Sequence, residues 1–279
     1  MSILLKTKAN YSKTALPNLV VIGAMKCGTS SLHQYLNLHP QIQMSNHKEL
    51  DFFTNINWNK GVDWYRSNFT NDAKIIGESS PNYTKYPAFP EIPARMYSII
   101  PNAKLIYIVR DPIKRIVSHY IHQYIARWEN REFSKAMENL DNNHYLNCSL
   151  YHMQLQQFLA YYSLEQILVI DLEDLSKNTN EVLRKVFDFL DVDVDYIHPE
   201  FSRIFHKSNC KKRLNAIGVK VTRLPGGKRF IKPFSSILEY SVKEPIITQK
   251  IRKSLENKLR PDIEKFRKLT GESFANWSF

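Results

Sequence analysis

The 279-residue chain contains no run of 18 apolar residues, and residues 1–17 hold no apolar stretch of the kind a secretory leader needs. A membrane-spanning helix is therefore not expected, nor is export, and the chain reads as cytoplasmic. Cysteine is scarce: Cys27, Cys148 and Cys210 are scattered, so they offer neither a disulfide framework nor metal-ligand spacing, and they fit a reducing compartment. Acidic residues are missing altogether from 201 to 238, where ten basic residues supply +10 of the net charge of +12. Such a stretch is either a solvated basic loop or a surface for an anion: a nucleotide, a sulfated or phosphorylated substrate, nucleic acid or a membrane surface.

What is present is globular. At 43% hydrophobic and 24% charged residues the chain can bury a full core. Short β-branched apolar runs at 19–22, 41–44, 74–77, 104–109 and 166–171 read as strands. Helices are expected at about 29–38, 91–100, 112–128, 133–140, 149–162, 179–190 and 245–269. Strands alternating with helices predict an α/β fold, a central and mostly parallel sheet flanked by helices. With no repeat, low-complexity tract or linker, one domain is expected over 1–279, with 1–17 as an extension.

The stretch from Leu19 to Leu38 carries the strongest chemistry. A buried strand runs into Gly23-Ala-Met-Lys-Cys-Gly28, and Thr29, Ser30 and Ser31 open a helix. Strand, glycine loop and hydroxyl-rich helix start make an anion cradle, because loop N–H groups and the helix dipole converge on one point. A nucleotide-triphosphatase loop places its lysine after the second glycine. Here Thr29 stands there, and Lys26 lies inside the loop, where it reaches a bridging oxygen rather than a terminal phosphate. The plain alternative is an ordinary strand-to-helix turn. Cys27 lies in the same loop, where a thiolate nucleophile is conceivable but has no adjacent base.

Ligands of parallel sheets bind beyond the carboxyl ends of strands, which selects this loop, the segment 78–83, and Arg110 with the helix after it. Arg110 offers a planar fork suited to phosphate, and Ser118 adds a hydroxyl eight residues later. The alternatives are an ion pair of Arg110 with Asp111 or another carboxylate, and a helix-surface serine.

Four motifs, in order, resemble sulfotransferases that use 3′-phosphoadenylyl sulfate (PAPS), most closely the heparan-sulfate-type and bacterial members. They are Gly23–Leu32, Lys48-Glu49-x-x-Phe52-Phe53, Gly77-Glu78-x-Ser80-Pro81-Asn82-Tyr83 and Ile108–Tyr120, and the resemblance spans most of 19–195. It implies a 5′-phosphosulfate held by Lys26, Cys27, Gly28, Thr29, Ser30 and Ser31, and a 3′-phosphate held by Arg110 and Ser118. Lys211, Lys212 and Arg213 resemble the family's late segment that closes on the cofactor, with looser alignment. By the same resemblance Glu49 is the base that takes the acceptor proton, and no metal is required. Asp51 and Ser79 stand where some relatives carry histidine and lysine, which leaves His47, His119 and His122 as reserve bases. Asp51, Phe53, Ser79, Tyr83 and His122 are assigned to the acceptor, expected to be a small molecule; neither nucleic acid nor membrane is expected as a partner, and the oligomeric state stays open. A carbohydrate acceptor stays open, as do two other classes: a P-loop kinase and a non-catalytic polyanion binder.

Overall fold

The computed structural model describes residues 16–69, 73–202, 212–222 and 234–279. Its centre is a five-stranded sheet in the order β2-β3-β1-β4-β5, parallel throughout. The strands are β1 (Leu19–Gly23), β2 (Ile42–Met44), β3 (Ile75–Ser79), β4 (Lys104–Val109) and β5 (Ile167–Asp171). Every residue of β1 is buried, as a central parallel strand covered on both faces requires. Helices α1 (Thr29–Leu38), α2 (Gly61–Arg66), α3 (Ile92–Ile99), α4 (Pro112–Ile125), α5 (Phe133–Ala136), α6 (His144–Asn147), α7 (Tyr151–Leu159), α8 (Leu172–Lys177) and α9 (Thr179–Leu190) flank it. The strand order puts β1 at the point where the chain, having built β2 and β3 on one side, crosses to β4 on the other. Such a switch opens a crevice at the strands' carboxyl ends.

Among the boundaries that differ from the sequence expectation, three bear on the site or its supports. β3 runs to Ser79, so Glu78 and Ser79 are strand residues and not part of the loop after it; both are fully buried. The basic stretch 201–238 is not a loop throughout. Among its described residues are β6 (Lys212–Leu214), α10 (Ala216–Thr222) and α11 (Ser235–Leu238), and β6 pairs antiparallel with β7 (Glu239–Ser241). The last helix, α12 (Gln249–Thr270), begins four residues later than expected, because Thr248 Oγ1 caps it by accepting from Ile251 N–H (3.3 Å).

The chain's end is tied back to the sheet. Phe274 and Trp277 stack on each other (4.3 Å between centroids) and on Phe266 of α12. Trp277 Nε1 donates to Asp171 Oδ2 (3.1 Å) at the end of β5, and Ser278 N–H donates to Asp111 Oδ2 (2.7 Å) just past β4. Asp111 Oδ1 meanwhile caps α4 through the N–H groups of Ile113 and Lys114. One carboxylate thus fixes where Arg110 ends and α4 begins.

Candidate active site

The glycine loop is shaped by what packs on it. Gly28 has φ +88°, and a Cβ there would meet Leu172 Cδ1 at 2.5 Å; a Cβ on Gly23 would meet Thr84 Oγ1 at 1.9 Å. Lys26 is also left-handed, with φ 72°. Beyond Gly28, helix α1 has no side-chain cap and no acid in its first turn; Leu32 N–H is the donor that bonds Gly28 O. The first-turn amides of Thr29, Ser30 and Ser31 therefore face the crevice as a group with positive potential. Cys27 plays a different part from a nucleophile. Its N–H is spent on Ala24 O (3.1 Å), its side chain is fully buried against Tyr151, and burial pushes its thiol up to about 11. A thiol held protonated does not attack.

Arg110 sits across β1–β4 from this loop. Its Nη1 donates to Lys26 O (3.3 Å), and its Nε is buried with no partner. The expected alternative, an ion pair with Asp111, is excluded, since both Asp111 oxygens accept from main-chain N–H groups. A buried guanidinium donor left open at a strand end fits an oxyanion. Ser118 lies buried in α4, within two turns of its start. The sequence reading missed Arg115, which is fully buried below the loop. It donates to Met25 O (3.3 Å), Tyr145 O (2.6 Å) and Ser149 Oγ, holding the loop up and placing a fixed positive charge beneath it. Its place one helical turn inside an aspartate-capped helix, facing inward, was the available signal.

The third wall is the segment 47–54, hung on the end of β3. Glu49 N–H donates to Ser79 O (2.9 Å) and Asp51 N–H to Ser80 Oγ (3.0 Å). Glu49 is exposed, left-handed at φ 64°, and its carboxylate pairs with Lys48 Nζ at 2.7 Å. Asp51 is half-buried. Burial raises its pKa from an ordinary 3.8 to about 6 against the bond it accepts from Asn82 Nδ2 (2.7 Å), and its Oδ1 has no partner.

Three residues assigned to the acceptor belong to the core instead. Phe53 is fully buried among Phe52, Tyr65 and Tyr83. Tyr83 OH donates to Glu78 Oε1 (2.8 Å), as Tyr65 OH does, and Ser80 Oγ donates to Glu78 Oε2 (2.5 Å). This cage holds a carboxylate whose burial raises its pKa to about 7. Ser79 Oγ is engaged by His33 Nδ1 (3.0 Å). An aromatic cluster around a satisfied buried acid is core, so these side chains fix the segment that carries Glu49 and Asp51 rather than line a pocket.

The remaining candidates divide. His122 is half-buried on α4, its ring 6.4 Å from the exposed Trp128. His47 is exposed. Lys211 lies outside the described residues. Lys212 pairs with Glu239 (3.7 Å), while Arg213 stacks on Tyr124 (3.7 Å) and donates to Asn130 (2.7 Å). Lys212 is therefore taken up between β6 and β7, and Arg213 in attaching β6 to the far end of α4. His119, His144 and Cys148 bring ligand atoms within 4.8 Å of one another, a grouping the spacing did not reveal. It suits a metal poorly: Arg115 donates to His119 Nδ1 (3.3 Å), and the charges of Arg115 and Lys85 bear on all three.

No helix among the described residues is long and apolar enough to cross a membrane. A sulfotransferase domain model matches residues 16–274. Human heparan sulfate glucosamine 3-O-sulfotransferase 5 is 30% identical over 280 residues, covering 94% of this chain and 74% of that protein. The bifunctional heparan sulfate N-deacetylase/N-sulfotransferase 1 of Caenorhabditis briggsae is 30% identical over 220 residues, 71% of this chain; the chain spans about a quarter (24%) of that protein's length. In structure the chain is similar to a sulfotransferase from Alicyclobacillus acidocaldarius, with a TM-score of 0.71 and 23% identity over 95% of this chain and all of that one, a likeness of fold. The four ordered motifs, the parallel sheet and the matched family model agree: this chain belongs to the sulfotransferase family.

Proposed function

We propose that the protein transfers the sulfuryl group of PAPS to a hydroxyl or amine of a small-molecule acceptor. The observation that carries this reading is a pair of anion sites on neighbouring strand ends: the uncapped start of α1 beyond β1, and Arg110, with its open buried Nε, beyond β4. Two such sites suit a nucleotide with phosphates at both the 5′ and 3′ positions. PAPS, when bound, supplies a sulfuryl group on a good phosphate leaving group. The loop amides and the hydroxyls of Thr29, Ser30 and Ser31 hold the 5′ end, Arg110 and Ser118 the 3′-phosphate. Lys26 places its ammonium where negative charge develops as the sulfur–oxygen bond breaks, a role a fixed cation fills without a metal. Glu49, exposed on the segment facing the loop, takes the acceptor proton.

A carbohydrate acceptor is the second reading, favoured by the 30% identity to a heparan sulfate sulfotransferase. A screen of phenols, alcohols, amines and sugars with isotope-labelled PAPS, read by mass, tests both. Label on a small acceptor supports the first reading, and label only on glycans replaces it with the second. ATP hydrolysis with magnesium and no use of PAPS would make the protein a kinase-type enzyme. Salt-sensitive polyanion binding that ignores Lys26→Ala would make it a binder.

A further inference from the structure

The segment that follows β3 holds a largely buried lysine that forms no ion pair among the described residues. Lys85 comes directly after the short turn Pro81–Thr84, is only 9% exposed, and its Nζ has no hydrogen bond or ion pair among the described residues. Its backbone is fixed on both sides. Thr84 Oγ1 donates to Ile22 O (3.2 Å) at the end of β1, and Tyr86 N–H donates to Gln154 Oε1 (2.8 Å). Three residues before it, Asn82 donates to Asp51 Oδ2 (2.7 Å), so Lys85 stands between the end of β1 and the 49–51 segment. Burial lowers its pKa, and the charges of Asp51 and Glu49 oppose that shift from across the gap.

Asp51 is the opposite case in the same place. One oxygen is satisfied by Asn82, and Oδ1 is buried and open. Lys85 and Asp51 sense each other's charge without closing to ion-pair distance. A fold gains little from holding a largely buried lysine and an acid with an open, buried oxygen apart; a methionine would fill the place of Lys85 at less cost. The arrangement is repaid only when a bound molecule supplies both partners. The donor's anionic groups already have Lys26, the start of α1 and Arg110, whereas Lys85 stands with Glu49 and Asp51.

We infer that Lys85 and Asp51 orient the acceptor: Lys85 pairs with a carboxylate on it, and Asp51 Oδ1 accepts a hydrogen bond from a hydroxyl or amine of the same molecule. This rests on the sulfotransferase reading and adds to it that the acceptor is an acid.

The test uses the full chain loaded with adenosine 3′,5′-bisphosphate and two matched pairs of probes, 4-hydroxybenzoate with 4-hydroxybenzamide and glucuronate with glucuronamide. Within a pair only the charge changes, and between pairs an aromatic acid is told from a sugar acid. In the wild-type protein at least one acid should bind about tenfold more tightly than its amide, the scale of one charge-assisted bond. Lys85→Met keeps the stem and removes the charge. It should lose that tenfold, keep bisphosphate binding, and melt no lower than wild type, since it removes an unpaired buried charge. Asp51→Asn should weaken the acid and its amide alike. The inference is overturned if acid and amide bind wild type equally, if neither acid binds, or if Lys85→Met keeps the discrimination. It is overturned equally if Lys85→Met loses bisphosphate binding, which assigns the lysine to the donor, or melts well below wild type, which makes it structural. Failure of the bisphosphate alone to bind wild type is read separately; it removes the sulfotransferase reading and this inference with it.

Discussion

At the scale of single residues, the proposed function separates charges that act on the donor from those that act on the acceptor, and on that proposal the two kinds should fail differently. Lys26→Ala removes an ammonium used as the bond to sulfur breaks, so turnover should fall by roughly 10²–10³ whatever the acceptor. Glu49→Gln keeps shape and loses basicity, so it should cost about 10²–10⁴ in rate, and less for acceptors that are already deprotonated. Bisphosphate binding should survive the Glu49 change. Steady-state rates across acceptors of different acidity, with a binding titration alongside, check both; wild-type turnover in Glu49→Gln would move the base to His47 or His122. The Lys48 partner of Glu49 is no obstacle, because an exposed ion pair is weak and opens readily.

At the scale of elements, the sheet and the anion loop were legible in the sequence because their signals are local. A β-branched run such as Leu19–Ile22 has few alternatives to a buried strand, and the Gly23–Gly28 spacing needs no partner to be read. What could not be read depends on contacts far apart in the chain. Phe53, Tyr83 and Ser79 looked like pocket residues because polar and aromatic groups beside a motif usually are. Their burial is set by Glu78, Tyr65 and His33, which only the fold brings together. Arg213 was given to the cofactor by the resemblance of its segment, with loose alignment, and in the fold Tyr124 and Asn130 engage it. Arg115 was marked only by its place one turn inside an aspartate-capped helix, and Lys85 carried no mark at all. The C-terminal strap gives this scale its prediction. Trp277 stacks on Phe274 and Phe266 and ties to Asp171, so Trp277→Ala should cost about 3–5 kcal/mol, measured by denaturant unfolding. It should also weaken bisphosphate binding, since Ser278 holds the Asp111 carboxylate that sets Arg110.

At the scale of the whole molecule, buried titratable groups oppose one another between about pH 4 and 7. Burial raises Asp51 to about 6 and Glu78 to about 7, so the stability they contribute is present below the ordinary carboxylate range and is lost as pH rises through those values. Burial lowers His33 to about 4, so its contribution is present above the ordinary 6.5 and is lost as pH falls through 4. The two effects offset, and a difference measurement isolates one of them. The melting temperature of Asp51→Asn should gain on that of wild type as pH rises from 4 to about 6, and then run parallel to it. A constant gap across that range would mean that Asp51 ionises as freely in the fold as in the unfolded chain.

The central claim is that two anion sites, one beyond β1 and one beyond β4, read the two ends of a single nucleotide. Calorimetric titration of the wild-type protein with adenosine 3′,5′-bisphosphate and with adenosine 5′-monophosphate tests it most directly, because the two ligands differ only in the 3′-phosphate. The account predicts that the bisphosphate binds at least about tenfold more tightly, the scale of a charge-assisted bond from Arg110, and that Arg110→Lys removes most of that difference while leaving monophosphate binding in place. Equal affinity of the wild-type protein for the two nucleotides would contradict it.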